Sequence, residues 1–364
     1  MYDIGIIGAG VAGSYLAYLL KNKKNNIKDK KIIVFEKSPK IKLKDSGIVS
    51  TAIEKFFDKK TIKKLIDKKI RTAEIVSPSR KIIKIKTKKP FVYVLKRKKF
   101  AKFLRSKIKI KYETVEEVKI YDNFSLVKTD KDKYFIKVLV GADGANSITR
   151  KAITNKKPKM YFGIFTKSLK NKEKKIFLNK LYSPDFIAWS IFGEYGLVTG
   201  FSPKKNYSYF LAEQNVKPKK IYAGLIPTGL IKTRRNNCIL IGDAACQVKP
   251  ITGGGIIYSL TAAAIAHKVI LSCFALGDFS GLKNYEREWH KKLKKEIRAG
   301  LLVRKVYRQM SNNEIDDFFD EFGPDIEQAA PVIENNYDNL SKLIWKMPKL
   351  KLIKFILKHW RKII

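Results

Sequence analysis

The chain has 364 residues and carries 77 lysines and arginines against 33 acids, a formal net charge of +44. Its 45% hydrophobic content excludes a wholly disordered chain, and its length suits one large or two intergrown domains with a sizeable core. Cys238, Cys246 and Cys273 show no CxxC spacing and His267, His290 and His359 lie far apart, so no zinc site, disulfide framework or Ser-His-Asp triad is spelled out. The basic excess is spread along the chain, a field suited to anionic membranes or acidic partners. No nucleic-acid motif accompanies it, and no nucleic-acid partner is expected.

Met1 leads directly into a strand, so no signal peptide is expected. Tyr2 to Ile7 reads as that strand, running into Gly8-Ala9-Gly10-Val11-Ala12-Gly13 and then a helix from about Ser14 to Lys21. A second strand, Lys31 to Phe35, ends at Glu36. GxGxxG between a strand and a helix, with a carboxylate roughly twenty residues on, is the pattern of a Rossmann-type dinucleotide site. The glycines admit a pyrophosphate, the helix start offers free N–H groups, and the carboxylate accepts from ribose hydroxyls.

Lys37 to Ser50 reads as a loop holding Asp45-Ser46-Gly47, and Thr51 with Glu54 as the capping box of a helix reaching about Asp67. Short β runs follow (Ala73 to Val76, Ile82 to Lys86, Phe91 to Leu95), then a short helix opened by Arg97 and Phe100, and a strand over Ile108 to Tyr112. A meander through Val118 to Tyr121, Phe124 to Lys128 and Tyr134 to Val140 delivers Gly141-Ala142-Asp143-Gly144-Ala145-Asn146-Ser147 and Arg150. Strands return between Lys159 and Phe201, Pro203 to Lys220 reads as loop, and Ile221 to Ile226 leads to Pro227.

Cys238 to Ile241 reads as a buried strand that stops at Gly242-Asp243. Lys249, Pro250 and Thr252 then lead into Gly253, Gly254 and Gly255, and a small-residue apolar helix follows. That order suits a phosphate-bearing cofactor, with Asp243 accepting from sugar hydroxyls; an ordinary strand-to-helix turn fits the segment equally. Gly255 to Leu276, interrupted by His267-Lys268, reads as a core helix rather than a membrane span. Beyond Gly281 the chain reads as helical and charged, ending in a basic amphipathic segment from Lys349 to Ile364 with Trp360 as an aromatic anchor.

These pieces together resemble a known group. GAGVAG with Glu36, ADGANS with Arg150, and GDAACQVKPITGGG resemble the three FAD-binding motifs of the flavoproteins that include the aromatic-ring hydroxylases. DSGIVS (Asp45 to Ser50), SPSRKIIKI (Ser77 to Ile85), YAGLIPTG (Tyr222 to Gly229) and QVKPITGGGIIYSL look like one branch, the archaeal geranylgeranyl reductases. IAWSIF, Ile187 to Phe192, resembles that branch's tyrosine–tryptophan–phenylalanine signature with Trp189 kept and isoleucines at the other two places.

The resemblance implies an α/β fold: a Rossmann-type FAD-binding domain (1–66, 96–155 and 236–300), an intergrown antiparallel-sheet substrate domain (67–95 and 156–235) and a C-terminal helical region (301–364). It implies that Gly8, Gly10, Ala12, Gly13, Glu36, Ser46, Gly47, Arg97, Val118, Asp243, Gly254, Gly255 and Ile256 bind the cofactor, Val118 through backbone to adenine. Asp45 stands at or beside a place where the family commonly has cysteine, and with Trp189 it is the expected catalytic pair. Cys246 stands where the family usually has glycine and reads as a small packed residue.

The implied activity is saturation of isolated prenyl double bonds of archaeal membrane lipids by reduced FAD. An FAD monooxygenase of a hydrophobic substrate and a flavin-binding membrane protein without turnover are the other readings that the motifs allow. A chain of about twenty carbons gains on the order of 10 kcal/mol by leaving water, and it already has that gain in a bilayer. The expected site is therefore an apolar channel in a cytoplasmic protein peripheral to the anionic inner face of the cell membrane. Reduced ferredoxin and NAD(P)H both suit it as electron donor.

Overall fold

The glycine fingerprint folds as its spacing requires. β1 (Tyr2–Ile7) enters the turn, α1 (Val11–Leu20) leaves it, and β2 (Ile32–Glu36) returns parallel to β1 with Ile7 beside Phe35. The computed structural model describes residues 1–21, 27, 29–43, 45–168, 171–200 and 202–363, and for 356 and 360–363 the backbone alone. Lys44, part of the expected loop, lies outside the described residues.

After β3 (Ile48–Ser50) the single helix expected out to Asp67 is broken. Thr51–Lys55 is one 3-10 stretch without a side-chain cap, because Glu54 is taken by the Tyr93 hydroxyl at 2.6 Å. Asp58 instead caps a separate α2 (Lys59–Leu65), accepting from the Thr61 N–H at 2.8 Å. β4 (Ile66–Ile70), β5 (Thr72–Val76), β6 (Ile82–Lys86), β7 (Val92–Leu95) and α3 (Arg97–Ser106) follow. The strand expected from Ile108 shrinks to β8 (Lys111–Tyr112), since the Ile108 N–H is drawn back to the Arg105 carbonyl at the helix end.

The expected meander is β9 (Val115–Ile120), β10 (Ser125–Thr129) and β11 (Lys133–Gly141), followed by α4 (Ile148–Ile153). β12 (Lys159–Lys167), β13 (Lys174–Phe177), β14 (Ala188–Ile191) and β15 (Glu194–Thr199) come next. The expected loop from Pro203 holds α5 (Pro203–Glu213). Proline suits its first turn, and Tyr207, Phe210 and Leu211 give it one buried face. β16 (Ile221–Thr228), β17 (Arg234–Arg235) and β18 (Cys238–Leu240) precede the long α6 (Ile256–Leu276). The helical end comprises α7 (Lys283–Trp289), α8 (Lys295–Gln309), α9 (Asn312–Gln328), α10 (Ala330–Asn336), α11 (Leu340–Lys346) and α12 (Lys349–Ile363).

Among the described residues, three sheets order these strands. The first runs β17-β18-β11-β1-β2-β8, with β10 and β9 attached to β11; its centre is parallel, as a dinucleotide fold requires. The second, β16-β12-β15-β14-β13-β5-β6, is antiparallel apart from the β13–β5 pair. A small sheet, β3-β7-β4, joins both cores, Tyr93 packing with the first and Val92 with the second. The architecture is the expected α/β one, with antiparallel sheet and C-terminal helices.

α6 lies along α1 and α7, and Ala262, Ala263, Ala266 and Ile270 are wholly buried. By length and composition it could cross a membrane; here its small residues let the helices approach closely. The C-terminal helices clasp the second sheet. Asp316 of α9 accepts from the Ser77 and Ser79 hydroxyls at 2.5 and 2.7 Å, and Lys81 pairs with Asp320 at 2.6 Å. The SPSRK segment thus docks α9 onto the β5–β6 hairpin.

Candidate active site

The first wall of the site is the glycine turn. Gly8 has φ +100°, and a Cβ there would lie 2.4 Å from the Ala142 carbonyl oxygen, so only glycine lets the turn meet the loop after β11. A Cβ on Gly13 would lie 2.0 Å from the Gly8 carbonyl, which fixes the packing of α1 on its own turn. Gly10 differs: nothing lies within 4 Å of where its Cβ would be, so its open side faces free space at the start of α1. Backbone N–H groups and the positive end of the helix face that space, the arrangement a pyrophosphate fits. Ala12 packs against the second loop, 2.9 Å from the Cβ position of Gly242.

Glu36 closes this end. Its carboxylate accepts from the Ala9 N–H at 3.0 Å and pairs with Arg105 at 3.2 Å. Arg105 also donates to the Ala9 carbonyl at 3.1 Å and to the carbonyls of Ser38 and Pro39, so one guanidinium ties the glycine turn to the loop beyond β2. Sequence reasoning missed Arg105. It sits eight residues beyond Arg97, just over two turns along α3, a spacing that places both on one face.

Arg97, Asp45 and Gly47 form the next contact. The buried Arg97 guanidinium pairs through Nη2 with Asp45, whose other oxygen accepts from the Gly47 N–H at 3.0 Å. Gly47 has φ +77°, and a Cβ would lie 2.1 Å from Arg97 Cδ. Nε and Nη1 of Arg97 are buried and have no partner among the described residues. Two orphaned, charged N–H groups beside the glycine turn call for an acceptor that the described residues do not supply. The Ser46 Oγ accepts from the Ile48 N–H at 3.4 Å, which stiffens the same loop.

The third wall is the segment from Gly242 to Ile256. Asp243 stands in a 3-10 turn, and its Oδ1 lies 3.0 Å from the Cβ position of Gly255, the N-cap of α6. The Gly254 N–H bonds the Thr252 hydroxyl at 3.3 Å, and Ile256 begins the helix. Lys249 pairs with Asp338, which also accepts from the Ser50 hydroxyl. The turn between α10 and α11 is therefore pinned to the loop, and Arg304 of α8 adds a bond to the Pro250 carbonyl while stacking on Tyr161 at 3.5 Å.

The facing wall is one side of the second sheet. Cross-strand register places Trp189, Gly196, Phe165 and Tyr222 on it in a row, with Ile226 and Tyr161 further along. Phe165 and Tyr222 stack at 5.0 Å, and the Trp189 indole lies flat on Gly196, where a Cβ would come 2.3 Å from Cζ2. This face abuts the cofactor loop: Ile226 Cδ1 lies 2.5 Å from the Cβ position of Gly253, and Ile48 packs into the same apolar cluster. The Trp189 N–H donates to the buried Glu194 carboxylate at 3.2 Å. Sequence reasoning passed over Glu194, although an acid between apolar residues at the start of a strand is the kind of signal that marks it.

Three other expected residues have local duties. Val118 lies mid-strand in β9 opposite Val127, its side chain in the core that Phe35 also lines. Asp143 accepts from the Ser147 hydroxyl and from Thr149, holding the start of α4. Arg150 bridges the carbonyls of Ala145 and Ala244, joining the second motif to the third. Cys246 is wholly buried, and burial pushes its thiol up to about 12, which leaves it a packed and unreactive side chain. No cluster of metal-binding side chains exists among the described residues.

Comparisons with known proteins bear on the fold that carries these residues. The NAD(P)-binding Rossmann-like domain family matches residues 6–42. A digeranylgeranylglycerophospholipid reductase of Methanocaldococcus jannaschii is 27% identical, over 90% of this chain and 92% of its own length. That of Methanococcus vannielii is 25% identical over the same shares. An uncharacterized protein of M. jannaschii is 28% identical over 98% of this chain and 91% of its own. Among solved structures, a geranylgeranyl bacteriochlorophyll reductase-like protein of Thermoplasma acidophilum matches at TM-score 0.83 and 18% identity, covering 100% of this chain and 99% of that one. The p-nitrophenol 4-monooxygenase PnpA of Pseudomonas putida matches at TM-score 0.69 and 14% identity, covering 93% and 98%.

The glycine turn, the orphaned Arg97 nitrogens and the α6 N-terminus fit FAD as the dinucleotide. The chain is accordingly similar in sequence to the archaeal digeranylgeranylglycerophospholipid reductases and shares its fold with flavin-dependent oxidoreductases.

Proposed function

We propose that this chain reduces isolated double bonds in the prenyl chains of archaeal membrane lipids or their precursors. The observation that carries the reading is the aromatic and aliphatic face of Trp189, Phe165, Tyr222 and Ile226 set against the loop that ends in Gly253 to Gly255. An unpolarised alkene offers no charge to recognise, so the protein must place its carbon and keep water out. Gly8, Gly10 and Gly13 would hold the pyrophosphate, Glu36 the adenosine ribose, Arg97 the cofactor through Nε and Nη1, and Asp243 hydroxyls of the ribityl chain. FAD, when bound and reduced, would supply a hydride, and reduced ferredoxin or NAD(P)H would be its electron source. The protein's share is position, dryness and a proton.

The C-terminal helix supports work at a lipid surface. α12 docks on α9 through Phe355, whose ring lies 5.8 and 5.5 Å from Phe318 and Phe322, and through Lys351–Asp325 and Lys358–Asp317 pairs. Its other side leaves Leu350, Ile353 and Leu357 exposed at 76, 52 and 63%, with Trp345 of α11 exposed at 67%. Those three residues form one stripe, flanked by Lys349 and Lys354, a pattern that suits an anionic interface. The Trp360 and 361–364 side chains lie outside the described residues.

The test is anaerobic incubation of FAD-loaded, dithionite-reduced protein with unsaturated archaeal diether lipid, followed by mass spectrometry. Gain of hydrogen pairs on the prenyl chains is the expected result. Lipid returned unchanged by protein with full FAD occupancy would overturn the reading. The fold shared with PnpA keeps one rival, hydroxylation, which would instead consume NAD(P)H and oxygen together.

A further inference from the structure

The proposed reduction needs a proton as well as a hydride. Asp45 is engaged by the Arg97 guanidinium in the loop before β3. Glu194, by contrast, is buried at the start of β15 on the same face of the sheet as Trp189. Its Oε1 accepts the indole N–H at 3.2 Å, and its Oε2 faces Lys167 Nζ at 3.6 Å, on a side chain that is 57% exposed. The titratable groups facing it are Lys167 from β12, Asp45 from the loop before β3 and Tyr207 from α5. Burial pushes the Glu194 carboxyl up to about 7; Lys167 and the Trp189 hydrogen bond pull it down, and Asp45 adds to the rise.

We propose that Glu194 is the proton donor of this site, oriented by the Trp189 indole and resupplied from solvent along Lys167. The idea rests on the alkene-reductase reading. One alkene carbon takes the hydride from reduced FAD, which is thereby oxidised. The other carbon takes the Glu194 proton as the π bond is consumed and two C–H bonds form. Glu194 is left as a carboxylate, and a proton passes from water through the Lys167 ammonium to restore it. Trp189 then has a double duty: its ring lines the apolar face and its N–H fixes one oxygen of the acid.

The test uses full-length, FAD-loaded, dithionite-reduced protein mixed anaerobically with unsaturated diether lipid, with flavin reoxidation followed from acid to alkaline pH. The wild-type rate should fall as pH rises through about 7. Glu194→Gln should lose roughly 10²-fold and its remaining rate should lose that limb, whereas Glu194→Asp should recover part of both. Trp189→Phe removes a bond that favours the charged form, so its limb should move to higher pH. A Glu194→Gln protein with bound FAD and an unaltered rate and pH profile, beside wild type that saturates the lipid, would overturn the proposal alone. Wild type that leaves the lipid unsaturated would overturn the reductase reading itself, and this role with it. If Glu194→Gln fails to retain FAD, the Glu194→Asp and Trp189→Phe profiles decide: unshifted limbs in both overturn the role.

Discussion

Arg97 holds Asp45 with one nitrogen and leaves two others, Nε and Nη1, buried without a partner among the described residues. This half-satisfied guanidinium is the clearest sign that a ligand completes the site. A charged hydrogen bond contributes about 1.5–3 kcal/mol, so Arg97→Ala should weaken FAD binding by roughly 10- to 100-fold. Arg97→Lys keeps the charge but cannot serve Asp45 and the cofactor in one plane, and should fall between. Fluorescence titration of apoprotein with FAD reads both; equal affinity in all three proteins would remove Arg97 from the cofactor site.

Gly47 controls the same contact from the backbone. Its φ of +77° and the 2.1 Å approach to Arg97 Cδ mean that even a methyl must displace the arginine. Gly47→Ala should therefore lower FAD affinity while the cooperative unfolding transition of the apoprotein shifts only modestly, by about 1–3 kcal/mol for the strained φ. Comparing FAD titration with thermal denaturation separates the two effects.

The cofactor half of the fold was legible in the sequence because each motif encodes a backbone constraint: a glycine with no room for Cβ, or a helix start with open N–H groups. The third motif reads as an ambiguous turn when taken alone. Its meaning comes from the Ala12–Gly242 contact and from Ile226 against Gly253, which link segments far apart in the chain. Arg105 and Glu194 carry local signals in the sequence, but their roles lie in partners that only the fold brings near. Local propensity failed at Thr51–Asp67, where Tyr93 from β7 captured Glu54 and Asp58 offered a competing cap. It failed at α5 as well, where Tyr207, Phe210 and Leu211 outweigh the polar composition around them.

Testing the proposed lipid-facing role of α12 calls for point changes rather than truncation. Removing the helix would strip Phe355 from Phe318 and Phe322, and loss of a buried phenylalanine alone costs about 3–5 kcal/mol. The triple change Leu350→Ser, Ile353→Ser, Leu357→Ser touches only exposed positions. It should leave stability and FAD content unchanged while reducing co-sedimentation with anionic liposomes. Unchanged co-sedimentation would assign the stripe to some other role.

Asp45 connects to Glu194 through charge. Because Asp45 helps raise the Glu194 carboxyl, Asp45→Asn should lower it and move the alkaline limb of turnover to lower pH. Arg97, freed from its partner, gains capacity for the cofactor, so FAD binding should hold or tighten. The paired readout of pH profile and FAD titration distinguishes an electrostatic neighbour from a structural one, which would change affinity and leave the profile in place.

Glu194 also leaves a signature on stability. Its folded-state pKa of about 7 lies above the 4.5 of an ordinary glutamate, so between those values the native protein keeps a proton that the unfolded chain has released. The unfolded state binds fewer protons there, and stability must fall as pH rises through the window. A separation of this size corresponds to on the order of 3 kcal/mol, fully present below about pH 4.5 and lost above about pH 7. Glu194→Gln cannot titrate, so the difference in unfolding free energy between wild type and variant should slope across this interval and flatten on either side. Denaturant melts at closely spaced pH values measure it directly. A constant difference would mean that Glu194 is charged throughout, and its carboxyl would then have no proton to give near neutrality.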